Sequence, residues 1–148
     1  MTDNILFNKI NTLRWHQGAL ELLDQRALPM RIEYLRYDSA TGVAEGIQTM
    51  VVRGAPAIGC AAAYGVALEA LRLQGEARPA FDAGMERGIA VLAASRPTAV
   101  NLFWALNRMH ARLDALESAS ASNIADALLA EAHAIAADDV RLNRQMGA

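Results

Sequence analysis

The feature that most constrains the fold of this chain is an uncharged run, rich in glycine and alanine, from position 54 to 68. A proline in its first turn and Gly75 at its end predict a helix over residues 56–74. Glycine costs about 1 kcal/mol relative to alanine inside a helix. Gly59 and Gly65 therefore indicate close approach by a neighbouring element or ligand, or the ordinary tight packing of a buried helix.

The composition is typical of a cytoplasmic protein. The run 54–68 is too short to cross a bilayer, and residues 1–11 lack the order of a secretory signal. A net charge of −2 gives no support to nucleic-acid binding. The lone Cys60 excludes an intrachain disulfide and fits a reducing compartment. We expect neither a nucleic-acid nor a membrane partner.

The chain divides near residue 41 into a β-rich segment, 1–40, and a helical region, 41–148. Short apolar pieces at 13–15, 19–23 and 32–37 are separated by turn residues. They predict a small antiparallel sheet of two or three strands. Trp15 is expected to anchor the core of this sheet rather than to bind a ligand.

The helical region predicts about five helices. Their expected ranges are 41–52 with Ser39 or Thr41 as cap, 56–74, 79 to about 95, a fourth from Thr98, and a fifth from about Asn123. Apolar residues of the fourth helix are predicted to form one buried stripe. They are Val100, Phe103, Trp104, Leu106 and Leu113. Asn123 with Asp126 is typical of a capping box for the fifth.

The segment from Arg53 to Gly59 is the strongest indication of chemistry. A helix that begins at Pro56 presents free N–H groups and the positive end of its dipole beside Arg53. The Arg53 charge and the positive end of the helix dipole repel each other, and an anion between them would relieve that repulsion. Gly54 and Ala55 have almost no side chain, so an anion can approach the backbone there. A phosphate meets these requirements. Alternatively, Arg53 merely caps another helix or pairs with a surface carboxylate.

A second arginine precedes another predicted helix start. Arg96 is followed by Pro97, which suits a first turn, and by Thr98, whose hydroxyl is available as a cap. Two arginines beside two helix N-termini predict one shared phosphate site, held by charge-assisted hydrogen bonds.

Three segments resemble the methylthioribose-1-phosphate isomerases. They are MVVRGAPAIG at 50–59, continued by AAYGVAL at 62–68, then RPTAVNL at 96–102, and LLDQRALP at 22–29. The similarity covers essentially the whole chain. The wider fold is shared with regulatory subunits of a translation-initiation exchange factor and with ribose-1,5-bisphosphate isomerases.

This resemblance implies conversion of 5-methylthioribose 1-phosphate to 5-methylthioribulose 1-phosphate in methionine salvage. It implies that Arg53, Gly54, Ala55 and Arg96 bind the sugar phosphate. The chain would form one N-terminal domain, with a Rossmann-like C-terminal domain beyond it as partner. A homodimer is expected, with no metal or nucleotide cofactor.

The catalytic cysteine and aspartate of the family lie in that C-terminal domain, so no catalytic residue is expected in this chain. Cys60 is predicted to be a buried, inert thiol. His16, His110 and His133 fall in unrelated segments, and the latter two are expected to be surface or boundary residues. Asp138 and Asp139 point about 100° apart around a helix and are expected on a solvated face.

Other functions stay open at this stage. The chain is expected to belong to an isomerase and to be inactive alone. The alternatives are a ribose-1,5-bisphosphate isomerase, a non-catalytic binding or assembly module of the same fold, or a structural helical domain whose arginines are incidental.

Overall fold

The computed structural model describes residues 12–147, with the side chains of the last helix described up to residue 138. This part forms three strands, five α-helices and one short 3-10 helix, Gln25–Ala27. The strands and α-helices are β1 (Leu13–His16), β2 (Ala19–Leu23), β3 (Tyr34–Tyr37), α1 (Ala40–Gln48), α2 (Ala55–Leu73), α3 (Arg78–Ser95), α4 (Val100–Ala115) and α5 (Ala121–Gly147). The predicted α+β fold, a small antiparallel sheet followed by a bundle of about five helices, is confirmed.

The sheet is antiparallel in the order β1-β2-β3. Gln17 and Gly18 join the first two strands with φ angles of 51° and 76°. Two consecutive positive φ angles are typical of a type I′ turn, whose twist matches that of the paired strands. Leu20 pairs with Trp15 on one side and Tyr37 on the other, and its own side chain is fully buried in the helical core.

Trp15 attaches the sheet to the helices, which confirms its predicted role as an anchor. Its ring stacks on that of Tyr64 with 5.5 Å between centroids. The Tyr64 hydroxyl lies 2.7 Å from Nδ1 of His133 on α5. Burial, with a smaller contribution from Cys60, raises the pKa of Tyr64 to about 12. The phenol therefore stays neutral at ordinary pH and joins β1, α2 and α5.

Helix α2 is the centre of the bundle and contacts each of the other four helices. By length and composition alone it is long and apolar enough to cross a membrane, but most of it is buried inside the protein, as in the core helix of a folded domain. A Cβ on Gly65 would lie 3.0 Å from Leu92 of α3 and 3.3 Å from Val43 of α1. For Gly65, helix packing is therefore the reason for the small residue.

Helix α1 starts as predicted but ends earlier than residue 52. The Ser39 hydroxyl accepts the Gly42 N–H at 3.1 Å, so Ser39 is the cap. At the other end Met50 has a φ of 68°, and the Val51 N–H bonds to the Gly46 carbonyl at 2.9 Å. This left-handed closing turn usually uses glycine, and nothing in the sequence around Met50 indicated it.

The predicted apolar stripe of α4 is wrong for three of its five residues. Val100, Phe103 and Trp104 are exposed by 79%, 37% and 53%. The helix instead buries residues at positions 102, 105, 106, 109 and 113. These positions lie on one face at helical spacing, whereas Val100 and Trp104 lie nearly opposite.

Two predicted caps are also wrong. The Ala99 N–H bonds to the Arg96 carbonyl at 3.0 Å, so residues 96–99 form a turn. Helix α4 then begins after Ala99, without a cap from Thr98. At the start of α5 the Ser120 hydroxyl accepts the Asn123 N–H at 3.1 Å. Ser120 therefore caps that helix in place of Asn123.

Candidate phosphate-binding site

The turn that leads into helix α2 is exposed to solvent. Gly54 precedes the helix with a φ of 91° and a ψ of 133°, a conformation that strongly favours glycine. A Cβ there would meet nothing within 4 Å, so conformation rather than crowding requires the glycine. Residues 53–56 are exposed, and no side chain in the described part of the protein caps the helix. Its first N–H groups therefore have no side-chain acceptor among the described residues.

The Arg53 guanidinium extends from this turn and is exposed. Its Nη2 lies 3.4 Å from the carbonyl oxygen of Gln25, the first residue of a short 3-10 helix after β2, so the contact is weak. Among residues 12–138, no carboxylate forms an ion pair with it. Of the two interpretations left open by the sequence, pairing with a surface carboxylate is therefore excluded within that range.

Arg96 lies farther from its helix than Arg53 does, three residues before Ala99, the residue that precedes α4. It follows the last residue of α3 and is half-buried. Its carbonyl accepts the Ala99 N–H, and the resulting turn leads into α4. In the described part of the chain no side chain caps the start of that helix at Ala99. Both arginines thus precede a helix whose first N–H groups lack a side-chain acceptor.

The starts of α2 and α4 lie side by side. A Cβ on Gly59, one turn into α2, would lie 3.0 Å from the Asn101 carbonyl oxygen and 3.7 Å from Cβ of Ala105. Asn101 is the second residue of α4. The absence of a side chain at Gly59 therefore allows the two helix starts to approach closely. Convergence of Arg53 and Arg96 on one anion stays a prediction.

A half-open cavity of about 200 Å³ adjoins these helix starts. Its lining comes from α2, α4 and α5, namely Pro56, Gly59, Cys60, Asn101, Trp104 and Ile135, with Asp138 at one side. The sequence did not predict this cavity, because Trp104 was assigned to a buried stripe and α5 is distant along the chain. The one usable signal was the small residue at Gly59.

The remaining candidate residues do not join the arginines. Cys60 is 2% exposed, which confirms that it is buried. His110 lies 3.0 Å from a Glu86 carboxylate oxygen and 3.1 Å from one of Asp114, on the partly exposed surface between α3 and α4. Asp138 lies 3.7 Å from Arg108. Asp139 falls outside the described side chains.

No group of three or more His, Cys, Asp or Glu side chains that would hold a metal ion occurs in the described part of the chain. Around Arg53 and Arg96 the guanidinium groups and backbone N–H groups are of the kind that bind anions.

A model of the initiation factor 2 subunit family matches residues 51–148, a range that includes both arginine segments. The chain belongs to the initiation factor 2 subunit family.

Curated relatives confirm the resemblance predicted from the motifs. The chain is 65% identical over 139 residues to the methylthioribose-1-phosphate isomerase of Albidiferax ferrireducens, covering 94% of this chain and 39% of that protein. It is 52% identical over 147 residues to the protein of that name from Pseudomonas fluorescens, covering 99% and 40%. The chain thus spans about two fifths of the length of these relatives.

Two solved structures share the fold. One is 5-methylthioribose 1-phosphate isomerase from Pyrococcus horikoshii, with a TM-score of 0.89 and 37% identity over 94% of this chain and 39% of that one. The other is the delta subunit of translation initiation factor eIF-2B from A. fulgidus, with a TM-score of 0.85 and 34% identity over 94% and 40%.

Proposed function

We propose that this chain is the phosphate-binding part of a sugar-phosphate isomerase that converts 5-methylthioribose 1-phosphate to 5-methylthioribulose 1-phosphate in methionine salvage. The observation that carries the proposal is the contact between the starts of α2 and α4, where Gly59 approaches Asn101. The names of the similar proteins supply the substrate.

In this proposal Arg53 and Arg96 donate charge-assisted hydrogen bonds to the phosphate, and the backbone at Gly54 and Ala55 supplies N–H groups. A doubly charged phosphate offsets both the guanidinium charges and the positive end of the α2 dipole. Glycine and alanine leave the backbone accessible. The site therefore binds substrate and positions it, while the chemical step belongs to residues elsewhere in the enzyme.

The wider setting is proposed from the same resemblance. The enzyme works in the cytoplasm as a homodimer, without a metal or nucleotide cofactor. A Rossmann-like C-terminal domain, the partner of this chain, carries the catalytic cysteine and aspartate and closes the site over the substrate.

The test compares Arg53→Ala and Arg96→Ala with the wild-type chain in calorimetric titrations of 5-methylthioribose 1-phosphate. A hydrogen bond to a charged group contributes about 1.5–3 kcal/mol, so each change should weaken binding roughly tenfold to hundredfold. Arg112→Ala is the matched control, because Arg112 is exposed in the last turn of α4. It should leave the affinity unchanged.

Thermal unfolding should be nearly the same for all three variants, because none of these arginines is fully buried. An affinity that is unchanged in both Arg53→Ala and Arg96→Ala would overturn the proposed site. A common loss of stability in those two variants would indicate structural arginines instead.

A second candidate is a non-catalytic binding or assembly module. The observation that favours it is the close structural similarity to the eIF-2B delta subunit. A ribose-1,5-bisphosphate isomerase is the remaining alternative from the same fold. Binding of 5-methylthioribose 1-phosphate that is much tighter than binding of ribose 1,5-bisphosphate separates the proposed function from both.

A further inference from the structure

The 3-10 helix Gln25–Ala27 buries none of its own residues, so it adds nothing to the hydrophobic core. It nevertheless bonds to the segment that leads into α2. The Gln25 N–H donates to the Val51 carbonyl at 2.9 Å, and the Gln25 carbonyl oxygen lies 3.4 Å from Nη2 of Arg53. Gln25 therefore contacts this segment through both of its backbone polar groups.

The segment before Arg53 is also held from the side of the core. Val51 and Val52 are 2% and 0% exposed, and the Val51 N–H donates to the Gly46 carbonyl at 2.9 Å. Arg53, the next residue, is exposed. The backbone that carries Arg53 is thus fixed between the core and the 3-10 helix, and the only hydrogen bond of its guanidinium among the described side chains is the one to Gln25.

Asp24 fixes the 3-10 helix. Its Oδ1 accepts the backbone N–H of Arg26 at 3.0 Å, and the Arg26 guanidinium donates to Oδ1 and Oδ2 at 2.9 and 3.0 Å. The Asp24 N–H donates to the Glu33 carbonyl at 2.7 Å. Asp24 is 6% exposed, and the hydrogen bonds from Arg26 lower the pKa of its carboxyl. The carboxylate is therefore charged at neutral pH and accepts from both backbone and side chain.

We propose that Asp24 is a positioning residue for phosphate binding, because its cap on the 3-10 helix holds the Gln25 carbonyl where that oxygen orients the Arg53 guanidinium. The inference rests on the proposed function, in which Arg53 binds the phosphate. A contact of 3.4 Å is long for a hydrogen bond. It restricts the side chain and still leaves its N–H groups available to a phosphate.

The benefit of this arrangement is entropic. A long side chain that is ordered before the ligand arrives loses less conformational freedom when it binds. Without the cap, the 3-10 helix and its Gln25 carbonyl would become mobile, and phosphate binding would have to order Arg53 by itself.

The experiment separates the capping bond of Asp24 from its charge, in calorimetric titrations of the 148-residue chain with 5-methylthioribose 1-phosphate. Asp24→Ala removes both and should weaken binding about twofold to tenfold, the cost of ordering one long side chain. Asp24→Asn removes the charge but keeps an oxygen that caps about equally well. Arg26→Ala removes the guanidinium but keeps the capped N–H. Both controls should bind nearly as tightly as wild type.

A double-mutant cycle shows whether Asp24 acts through Arg53. In an Arg53→Ala background, Asp24→Ala should cause no further loss of affinity, because no guanidinium remains to be positioned. A merely structural role would reduce the affinity by the same factor in both backgrounds.

Gln25→Pro tests the same link without changing Asp24. Proline has the φ angle of a 3-10 helix, and Asp24 has the extended backbone that a following proline favours. The change removes the N–H that donates to Val51. It should weaken binding in the wild-type background and not in the Arg53→Ala background.

The outcomes separate this inference from the proposed function. If Arg53→Ala weakens binding but Asp24→Ala and Gln25→Pro do not, the positioning role is overturned and the proposed function stands. If Arg53→Ala binds as tightly as wild type, the phosphate site itself is wrong. Equal losses in both backgrounds, or a loss in Asp24→Asn as large as that in Asp24→Ala, would also overturn the positioning role. Thermal unfolding identifies any variant that fails to fold, and Gln25→Pro then decides in place of Asp24→Ala.

Discussion

Glu69 illustrates how one buried carboxylate organises three helices. It lies on α2 and is 6% exposed. One of its oxygens accepts the Ala40 N–H at 3.1 Å, and Arg72 donates to both oxygens at 3.2 and 2.6 Å. A Cβ on Gly88 of α3 would lie 2.9 Å from Glu69 Cγ. The Glu69 carboxylate on α2 therefore accepts the free N–H of Ala40, the first residue of α1. The Glu69 side chain also packs closely against Gly88 of α3.

We expect the stability of the chain to depend on the ionisation of Glu69. Burial by itself raises the pKa of this carboxyl. The hydrogen bonds from Arg72 and Ala40 lower the pKa by more than burial raises it, so the net pKa lies below the ordinary 4.5. The charged form is thus favoured by folding. Its contribution is present above about pH 4.5 and is lost as the pH falls through the lower, folded-state pKa.

Glu69→Gln keeps the shape but removes the charge, and should lower the free energy of unfolding by about 1–2 kcal/mol at pH 7. Urea unfolding between pH 3 and 7 checks this, and the difference from wild type should shrink towards the acid end. Glu45→Gln, at an exposed position on α1, is the control and should have little effect. A Glu69→Gln deficit that stays constant across the pH range would contradict the prediction.

At the scale of elements, the contact between α2 and α4 depends on one missing side chain. Gly59→Val would place carbon atoms against the Asn101 carbonyl, where even a Cβ lies at 3.0 Å. A backbone oxygen in the first turn of a helix moves only with that helix. Overpacking typically costs about 1–3 kcal/mol, so we expect a loss of that size in the free energy of unfolding.

The same change should weaken binding of 5-methylthioribose 1-phosphate, because it separates the two helix starts that are proposed to share the phosphate. Gly75→Ala is the control, since a Cβ at Gly75 meets nothing within 4 Å. Chemical denaturation and titration of both variants provide the check. Unchanged stability and affinity in Gly59→Val would show that α4 can shift without consequence.

Local signals in the sequence account for the elements that were predicted well. The predicted strand 19–23 is the observed β2, because turn residues mark its ends. Helix α2 spans Ala55–Leu73 and was predicted over 56–74, because a proline marks its start and a glycine its end. The end of α1 was missed because Met50 takes a left-handed φ that favours glycine. For α4, the spacing predicted an amphipathic helix, but apolar residues lie on both sides of it and the sequence did not show which side is in the core.

One part of the candidate site could be predicted from the sequence, and another part could not. The motif from Arg53 to Gly59 is contiguous, so its helix start could be predicted from neighbouring residues. The cavity needs α2, α4 and α5 to pack together, and Ile135 and Asp138 are far from Trp104 along the chain. Only tertiary packing brings those residues to one place.

At the scale of the whole molecule, exposed apolar side chains occur in the loop before β3 and at the start of α4. Met30 and Ile32 are 89% and 54% exposed in the loop before β3, and Val100 is 79% exposed at the start of α4. Single exposed apolar residues are ordinary, whereas a contiguous patch of them is typical of a surface that another element covers. Relatives of more than twice this length supply candidates for that cover.

We expect the 148-residue chain alone to have no isomerase activity. In methylthioribose 1-phosphate the phosphate is attached to the anomeric carbon, so the ring cannot open spontaneously to a free aldehyde. Isomerisation therefore needs a positioned acid or base near the ring oxygen and C2. The titratable groups that line the cavity within the described residues are Cys60, which is buried, and Asp138, which lies beside Arg108.

Phosphate binding by itself does not replace that acid or base. An interaction that is equally strong in the ground state and the transition state does not accelerate the chemical step, and Arg53 and Arg96 hold a group that does not react. The measurement follows ketose formation from 5-methylthioribose 1-phosphate, with the Albidiferax ferrireducens relative as the reference. A turnover number for this chain within about a factor of ten of the reference, a barrier difference below about 1.4 kcal/mol, would place the catalytic residues inside these 148 positions.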